Sequence, residues 1–294
     1  MNDMKRILIL GSNSLVGNSL VKKLSKKYSV FTTYHTKKTN QDDLKIDLQV
    51  EETLKKAFLI SKPDIVINLC GIYKNLDYCE KNKKIVMSIN GKSLKTISKI
   101  SNKYNSFLIG FSSDFVFDGK IGNYKESDQV SPINYYGKTK VIGEKNILEN
   151  ANDYCIIRTS MIYGKNQLRN TLADMILDKV KKGEELKLIN DQFMTPTYLE
   201  NFSKMLTEII EINYKGIIHL AGPEKMSRYD FAKKLISLSN FKNASLIPVS
   251  YNEFDFSKKM PRDSSLNTQK ASSLLHNGPE KVEDSLKKYL KDVS

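Results

Sequence analysis

Three cysteines are all that the 294 residues contain. Cys70, Cys79 and Cys155 have neither the paired spacing of a zinc site nor the density of a disulfide framework. Disulfide-stapled secreted folds are thereby excluded, and a reducing cytoplasm is the expected setting. No apolar run approaches the ~20 residues needed to cross a bilayer. The short apolar stretch in the N-terminal MNDMKRILILGSN is ended by glycine and polar residues too early for a secretory leader. Proline and glycine are sparse and nowhere cluster, so no flexible linker, collagen-like tract or low-complexity segment is expected. No internal repeat appears, and no His/Cys/Asp/Glu cluster has metal-ligand spacing.

What the chain does have is apolar and charged residues, 40% and 27% of the total. That is too apolar for a disordered chain and allows one large α/β domain, or a main domain with a smaller lobe. The formal net charge of +14 suits attraction to an anion. The lysines, however, come in pairs along the whole length (Lys22-Lys23, Lys26-Lys27, Lys55-Lys56, Lys181-Lys182, Lys287-Lys288) and form no basic arm. No aromatic RNP strand or Cys/His finger accompanies them. Solvated helix faces explain the charge, and neither nucleic acid nor a membrane is expected as a partner.

The first half alternates strand and helix signals. Short apolar runs at Lys5–Leu10, Val30–Tyr34, Asp64–Leu69, Phe107–Phe111 and Tyr154–Arg158 read as buried parallel strands. Leu15–Leu24 carries a helical stripe, roughly Asp77–Tyr104 reads as a long helical stretch, and a helix begins near Tyr135. Such alternation predicts an α/β fold, a Rossmann-type doubly wound parallel sheet, followed by a smaller C-terminal α/β lobe. In that lobe helices are expected at Leu168–Lys182, Leu199–Ile212, Ser227–Ser239 and Glu280–Leu290, with strands at Leu186–Ile189, Ile217–Leu220 and Leu246–Val249. Ser227 and Asp230 have capping-box spacing. The division expected is a nucleotide-binding domain over 1–164 and a mainly substrate-binding lobe over 165–294, woven onto the first.

Gly11, Ser14, Leu15, Val16 and Gly17 fall between the first strand and the first helix. There a dinucleotide-binding fold must turn tightly and bring backbone N–H groups against a pyrophosphate. Ser14 stands where a middle glycine is usual. An acidic residue some 20 positions on would hold an adenosine ribose, but the second strand ends Tyr34-His35-Thr36-Lys37-Lys38. Lys37 and its neighbour suit a 2′-phosphate, which favours NADP(H), with NAD(H) the alternative. Ser113, Tyr136 and Lys140 form the sharpest constellation. Tyr136 and Lys140, four apart, share one helix face, and a cation beside a phenol lowers its pKa. Tyr136 then suits protonation of a carbonyl oxygen as hydride arrives. Lys140 would also hold the nicotinamide ribose. Ser113, at the end of the FLIGF strand, would hydrogen-bond the carbonyl.

Several segments, in order, are similar to the dTDP-4-dehydrorhamnose reductase family of extended short-chain dehydrogenase/reductases. PDIVIN with LDYCE, SSDFVFDG (Ser112–Gly119), NYYGKTKVIGE (Asn134–Glu144) and RTSMIYG (Arg158–Gly164) resemble its blocks, as do NDQFMTPTY (Asn190–Tyr198), GIIHLAG (Gly216–Gly222) and MPRDSSLNT (Met260–Thr268). The resemblance covers essentially the whole chain. It implies that Ser113 replaces the family's catalytic Thr, with Tyr136 and Lys140 as its Tyr and Lys. It further implies that Asp47 and Leu48 lie against the adenine and that Cys70 and Gly71 line the cofactor cleft. Asn90 would order the floor of the active site. Asp114 and Met161 would face the sugar nucleotide, Met161 standing in place of a tryptophan. Lys74, Met194 and Met260 also depart from the family's pattern, so chemistry looks kept and specificity shifted.

The implied function is NADPH-dependent reduction of the 4-keto group of a nucleotide-linked 6-deoxyhexose, in sugar-nucleotide and cell-surface polysaccharide synthesis. Related dehydratases carry an Asp-Glu pair where this chain has Asp114-Phe115, which argues against elimination of water. Two alternatives stay open: a sugar-nucleotide epimerase, and a non-catalytic NADP-binding regulatory subunit resembling methionine adenosyltransferase β. The sequence leaves the oligomeric state open, a homodimer being one option.

Overall fold

Strand β1 (Arg6–Leu10) alternates its side chains between two hydrophobic layers, and both are fully buried. Ile7 and Ile9 face one, Leu8 and Leu10 the other. In the computed structural model, which describes residues 4–38, 40–72, 74–165, 170–241, 244–253 and 260–293, β1 lies inside a seven-stranded sheet. The other strands are β2 (Ser29–Tyr34), β3 (Leu44–Lys45), β4 (Ile65–Asn68), β5 (Phe107–Phe111), β6 (Tyr154–Arg158) and an edge strand, Gly216–His219. From that edge the order is Gly216–His219, β6, β5, β4, β1, β2, β3, with every pairing parallel. Register is carried by pairs such as Ile7↔Ile65, Leu10↔Asn68 and Phe111↔Ile157. This is the doubly wound arrangement, and its switch point lies between β1 and β4, where ligands bind at the carboxyl ends of the strands.

Helices cover both faces. On one, Leu15–Leu24 and Leu199–Glu211 bring Leu20, Leu24, Phe202, Leu206 and Ile209 onto Ile7, Ile9, Ile65 and Ile67. On the other, Glu51–Ser61, Ser93–Lys103 and Tyr135–Asn150 bring Leu54, Phe58, Leu94, Ile97 and Ile147 onto Leu8, Val66, Leu108 and Ile156. The helix Glu51–Ser61 was not foreseen from the sequence, although Leu54, Ala57, Phe58 and Ser61 are its buried stripe.

The smaller lobe packs helices Leu172–Lys181, Arg228–Leu238 and Val282–Val293 around the parallel pair Leu186–Ile189 and Leu246–Val249. Fully buried Tyr163, Phe231, Leu235, Leu286 and Tyr289 are at its centre. Its first helix starts at a reciprocal capping box, Thr171 with Asp174; the earlier start expected at Leu168 lies outside the described residues. At Ser227, the side chain accepts from the Asp230 amide and opens the Arg228–Leu238 helix. The strand expected at Ile217–Leu220 does not stay in this lobe. It joins the central sheet beside β6, pairing Gly216↔Cys155 through His219↔Arg158. The helix before it, Leu199–Glu211, docks on Leu15–Leu24, with the Ser19 and Ser203 hydroxyls 2.9 Å apart.

The stretch Asp77–Tyr104, expected to be a long helical stretch, is helical but not continuous. It is built from Leu76–Lys81, Lys83–Met87, a π-helical turn at Ser88–Lys92, and Ser93–Lys103. Asn82 breaks the first join with non-helical dihedrals (φ −115°, ψ 42°). The π turn, a feature frequent at functional sites, widens the helix where it crosses Tyr135–Asn150. The crossing is tight: a Cβ on Gly143 would lie 2.5 Å from the Asn90 carbonyl oxygen. Any larger residue at position 143 would push the two helices apart.

Candidate active site

At the C-terminal end of β1 the chain turns at Gly11, with φ +83°, and enters the Leu15–Leu24 helix. Ser14, in the place of a middle glycine, is the helix N-cap and accepts from the Gly17 amide at 3.0 Å. Gly17 has no room for a side chain, since a Cβ would sit 2.6 Å from the Ser12 carbonyl oxygen. The loop is braced by a residue that the sequence reading did not single out. Thr33, wholly buried on β2, accepts from the Gly11 amide at 3.1 Å, and its carbonyl accepts from Ser12 Oγ at 2.8 Å. Leu15 and Val16 occupy the first turn of that helix.

The end of β2 approaches the same loop. Asn13 Nδ2 donates to the Lys37 carbonyl at 2.7 Å, which places the exposed Lys37 and Lys38 next to the glycine turn. Tyr34 ends the strand, and no carboxylate occupies residues 34–38. Asp47 lies across from this segment, with Oδ2 3.8 Å from His35 Nε2. Its Oδ1 accepts from the Gln49 amide at 2.9 Å, and Leu48 beside it packs on the sheet. At the end of β4, Cys70 approaches Gly11 so closely that a Cβ there would be 3.1 Å from the Cys70 amide nitrogen and Sγ. Burial pushes the Cys70 thiol up to about 12, so it stays protonated at neutral pH.

Gly71 connects this cofactor edge to the Ser–Tyr–Lys group. A Cβ on it would lie 3.5 Å from both Lys140 Nζ and Asn90 Oδ1. Asn90, in the π turn, accepts from the Ile72 amide at 2.7 Å, and its Nδ2 donates to the Ile72 carbonyl at 2.9 Å. It therefore holds the chain that follows β4. Tyr136 and Lys140 sit on the first turns of Tyr135–Asn150, which Asn134 caps by accepting from the Gly137 amide. Lys140 Nζ is 5.8 Å from the Tyr136 ring centre and donates to the Phe111 carbonyl at 3.0 Å. Burial lowers its pKa to about 8, while Glu144 and Cys70 oppose the fall. The side chain is thus still mostly a cation at neutral pH.

Ser113 follows β5 and caps a short 3₁₀ turn, Asp114–Val116, accepting from the Phe115 amide at 3.2 Å. The Phe115 ring meets Tyr136 edge-on, with centres 6.0 Å apart. Asp114 is buried, and both its oxygens are engaged. Oδ1 accepts from Ser113 Oγ at 2.8 Å, and Oδ2 accepts from Ser160 Oγ at 2.9 Å and Ser264 Oγ at 2.7 Å. Burial pushes the Asp114 carboxyl up, and the three hydroxyls pull it back. Ser160 and Ser264 lie in sequence blocks quoted above, but a lone serine carries no signal that it will meet a carboxylate from another segment. Met161, half-buried, faces the second-lobe core, and its carbonyl accepts from the Thr197 amide at 2.9 Å. Beneath these residues Arg158 and Glu144 form a buried two-point ion pair, Nε to Oε1 at 2.9 Å and Nη2 to Oε2 at 2.7 Å.

The carboxyl ends of β2, β1, β4 and β5, with the first turns of Tyr135–Asn150, therefore present a crowded glycine turn, exposed lysines, a buried lysine cation and the Ser113 hydroxyl. These residues fit a phosphorylated dinucleotide. The first helix N-terminus suits a pyrophosphate, and lysines without a competing carboxylate suit a further phosphate.

The model of the family described as the RmlD substrate binding domain matches residues 4–294. The chain is 30% identical over 239 residues to a dTDP-4-dehydrorhamnose reductase of Aggregatibacter actinomycetemcomitans, covering 78% of this chain and 77% of that one. It is 24% identical over 269 residues to methionine adenosyltransferase 2 subunit beta of Danio rerio, covering 89% and 82%. A crystal structure of dTDP-4-dehydrorhamnose reductase from Bacillus anthracis, in complex with NADP, superposes with a TM-score of 0.88. There the identity is 27%, over 98% of this chain and 100% of that one.

Proposed function

The chain belongs to the RmlD substrate binding domain family, and from that premise we propose that it is an NADPH-dependent reductase of a nucleotide-linked 4-keto-6-deoxy sugar. The observation that carries this reading is the placement of Tyr136 and Lys140 on one helix face, against the strand end that bears Ser113. Likeness to reductases over most of the chain supports it.

NADPH supplies the hydride when bound. Gly11, Ser14, Leu15, Val16 and Gly17 hold its pyrophosphate, Lys37 its 2′-phosphate, with Tyr34, Asp47 and Leu48 around the adenosine and Cys70 and Gly71 along the cleft. Tyr136 gives the proton that turns the C4 ketone oxygen into a hydroxyl, so one hydride and one proton complete the alcohol. Lys140 favours the proton's departure by stabilising the phenolate left behind. Its bond to the Phe111 carbonyl keeps helix and strand end together, two residues before Ser113. Ser113 hydrogen-bonds the ketone oxygen. Residues 165–294 hold most of the sugar nucleotide, with Met161 at the border. A cytoplasmic setting agrees with three unbridged cysteines. Among the described residues no helix is long and apolar enough to cross a membrane.

Tyr136→Phe tests the reading. NADPH oxidation with a dTDP-4-keto-6-deoxyhexose generated in situ should fall by about 10²-fold or more, the usual worth of a positioned proton donor. NADPH binding by fluorescence should remain. Unchanged turnover would overturn the assignment of Tyr136. Tight NADPH binding with no turnover of the wild-type protein would point to a regulatory subunit.

A further inference from the structure

We propose that Asp114, held by Ser160 and Ser264, is a positioning residue that acts through Ser113. It takes the Ser113 hydroxyl proton at rest and can release it to the substrate at little cost, because Ser160 and Ser264 keep its other oxygen satisfied. The proposal rests on the reading of Ser113 as the group that meets the ketone.

A carboxylate accepts hydrogen bonds and gives none, whereas a serine hydroxyl has one proton and a free rotor. Asp114 draws hydroxyl protons from three separate parts of the chain: Ser113 beside it, Ser160 after β6, and Ser264 from the C-terminal part. All four residues are nearly or wholly buried. Ser113 Oγ also receives the Phe115 amide. That amide holds the Ser113 oxygen, and the proton given to Asp114 is the part that can be redirected.

If Asp114 had Ser113 alone, turning that proton to a ketone would strand a buried carboxylate without a side-chain donor, a costly state. Ser160 and Ser264 remove that cost, because Oδ2 keeps two donors when Oδ1 loses one. Both serines are anchored to the second lobe. The Thr195 amide donates to Ser160 Oγ at 3.4 Å, and the Ser264 amide donates to the Phe193 carbonyl at 3.0 Å. The hub thus links the far lobe to the orientation of Ser113, although neither serine needs to touch the substrate.

The test is a double-mutant cycle on Ser264 and Ser113, read as kcat with NADPH and a dTDP-4-keto-6-deoxyhexose generated in situ. Ser264→Ala should lower kcat about tenfold with the Kd for NADPH unchanged, and Ser264→Thr, which keeps the hydroxyl, should restore most of the rate. In a Ser113→Ala background, Ser264→Ala should change kcat less than twofold, because residues that act as one unit are not additive. An undiminished tenfold loss in that background would overturn the proposal and leave the reading of Ser113 standing. The same holds if Ser264→Ala has no effect in the wild type. If Ser113→Ala alone turns over at the wild-type rate, or the wild type does not turn over at all, the reading of the site fails and the proposal with it.

Discussion

Replacing Lys140 with methionine should stabilise the cofactor-free protein at neutral pH while destroying its use as a reductase. The lysine is 8% exposed, and burial takes its pKa from 10.5 to about 8. A depression of that size corresponds to about 3 kcal/mol spent on keeping the ammonium inside. Methionine has a similar length and no charge, but it leaves the Phe111 carbonyl without its donor, a loss of about 1–2 kcal/mol. The balance is a gain of about 1–2 kcal/mol, or roughly 2–3 °C in Tm for a chain of this size. The sign of the pH dependence follows from the folded pKa lying below the unfolded one. Between about pH 8 and 10.5 the unfolded state binds more protons, so wild-type stability from this group rises through that window. The penalty is complete below pH 8 and fades above it. Thermal unfolding without cofactor should therefore show Lys140→Met above wild type at pH 7, with the gap closing by pH 10. Saturating NADPH should reverse the order if Lys140 holds the nicotinamide ribose as proposed. A variant several degrees less stable at pH 7, or a gap that does not close, would refute the reasoning.

Glu144→Gln leaves the buried Arg158 guanidinium without its counter-charge, which costs about 3–5 kcal/mol and lowers Tm by roughly 5–8 °C, measurable by calorimetry. The same change removes the upward pull of Glu144 on Lys140, so the alkaline limb of the kcat profile should move to lower pH. Replacing Lys37 and Lys38 together with alanine should raise the KM for NADPH about tenfold, a loss of roughly 1.4 kcal/mol, and leave that for NADH nearly unchanged. Equal losses with both cofactors would mean that these lysines do not meet the 2′-phosphate.

The central strands were legible because each is a short apolar run buried on both faces, as in RILIL, IVIN and FLIGF. The helix holding Tyr136 and Lys140 was legible too, since four-residue spacing is a local property. The break at Asn82 and the π turn at Ser88–Lys92 were not. Asn82 is a polar residue inside a helix-compatible stretch, and the π turn lies where two helices that are distant in sequence cross closely at Gly143. The placement of Gly216–His219 in the central sheet was also hidden, because an apolar run does not say which sheet it will join.

By itself the sequence determined the alternating strand and helix order, the glycine turn after the first strand and the one-turn separation of tyrosine and lysine. Period, turn chemistry and spacing are written into neighbouring residues. Only the tertiary structure decided that Thr33 braces the glycine turn, that Glu144 and Arg158 pair beneath the site, and that Ser113, Ser160 and Ser264 converge on Asp114. Those contacts join residues up to 150 positions apart. They form because a buried charge or donor must be satisfied by whatever the packed chain brings beside it.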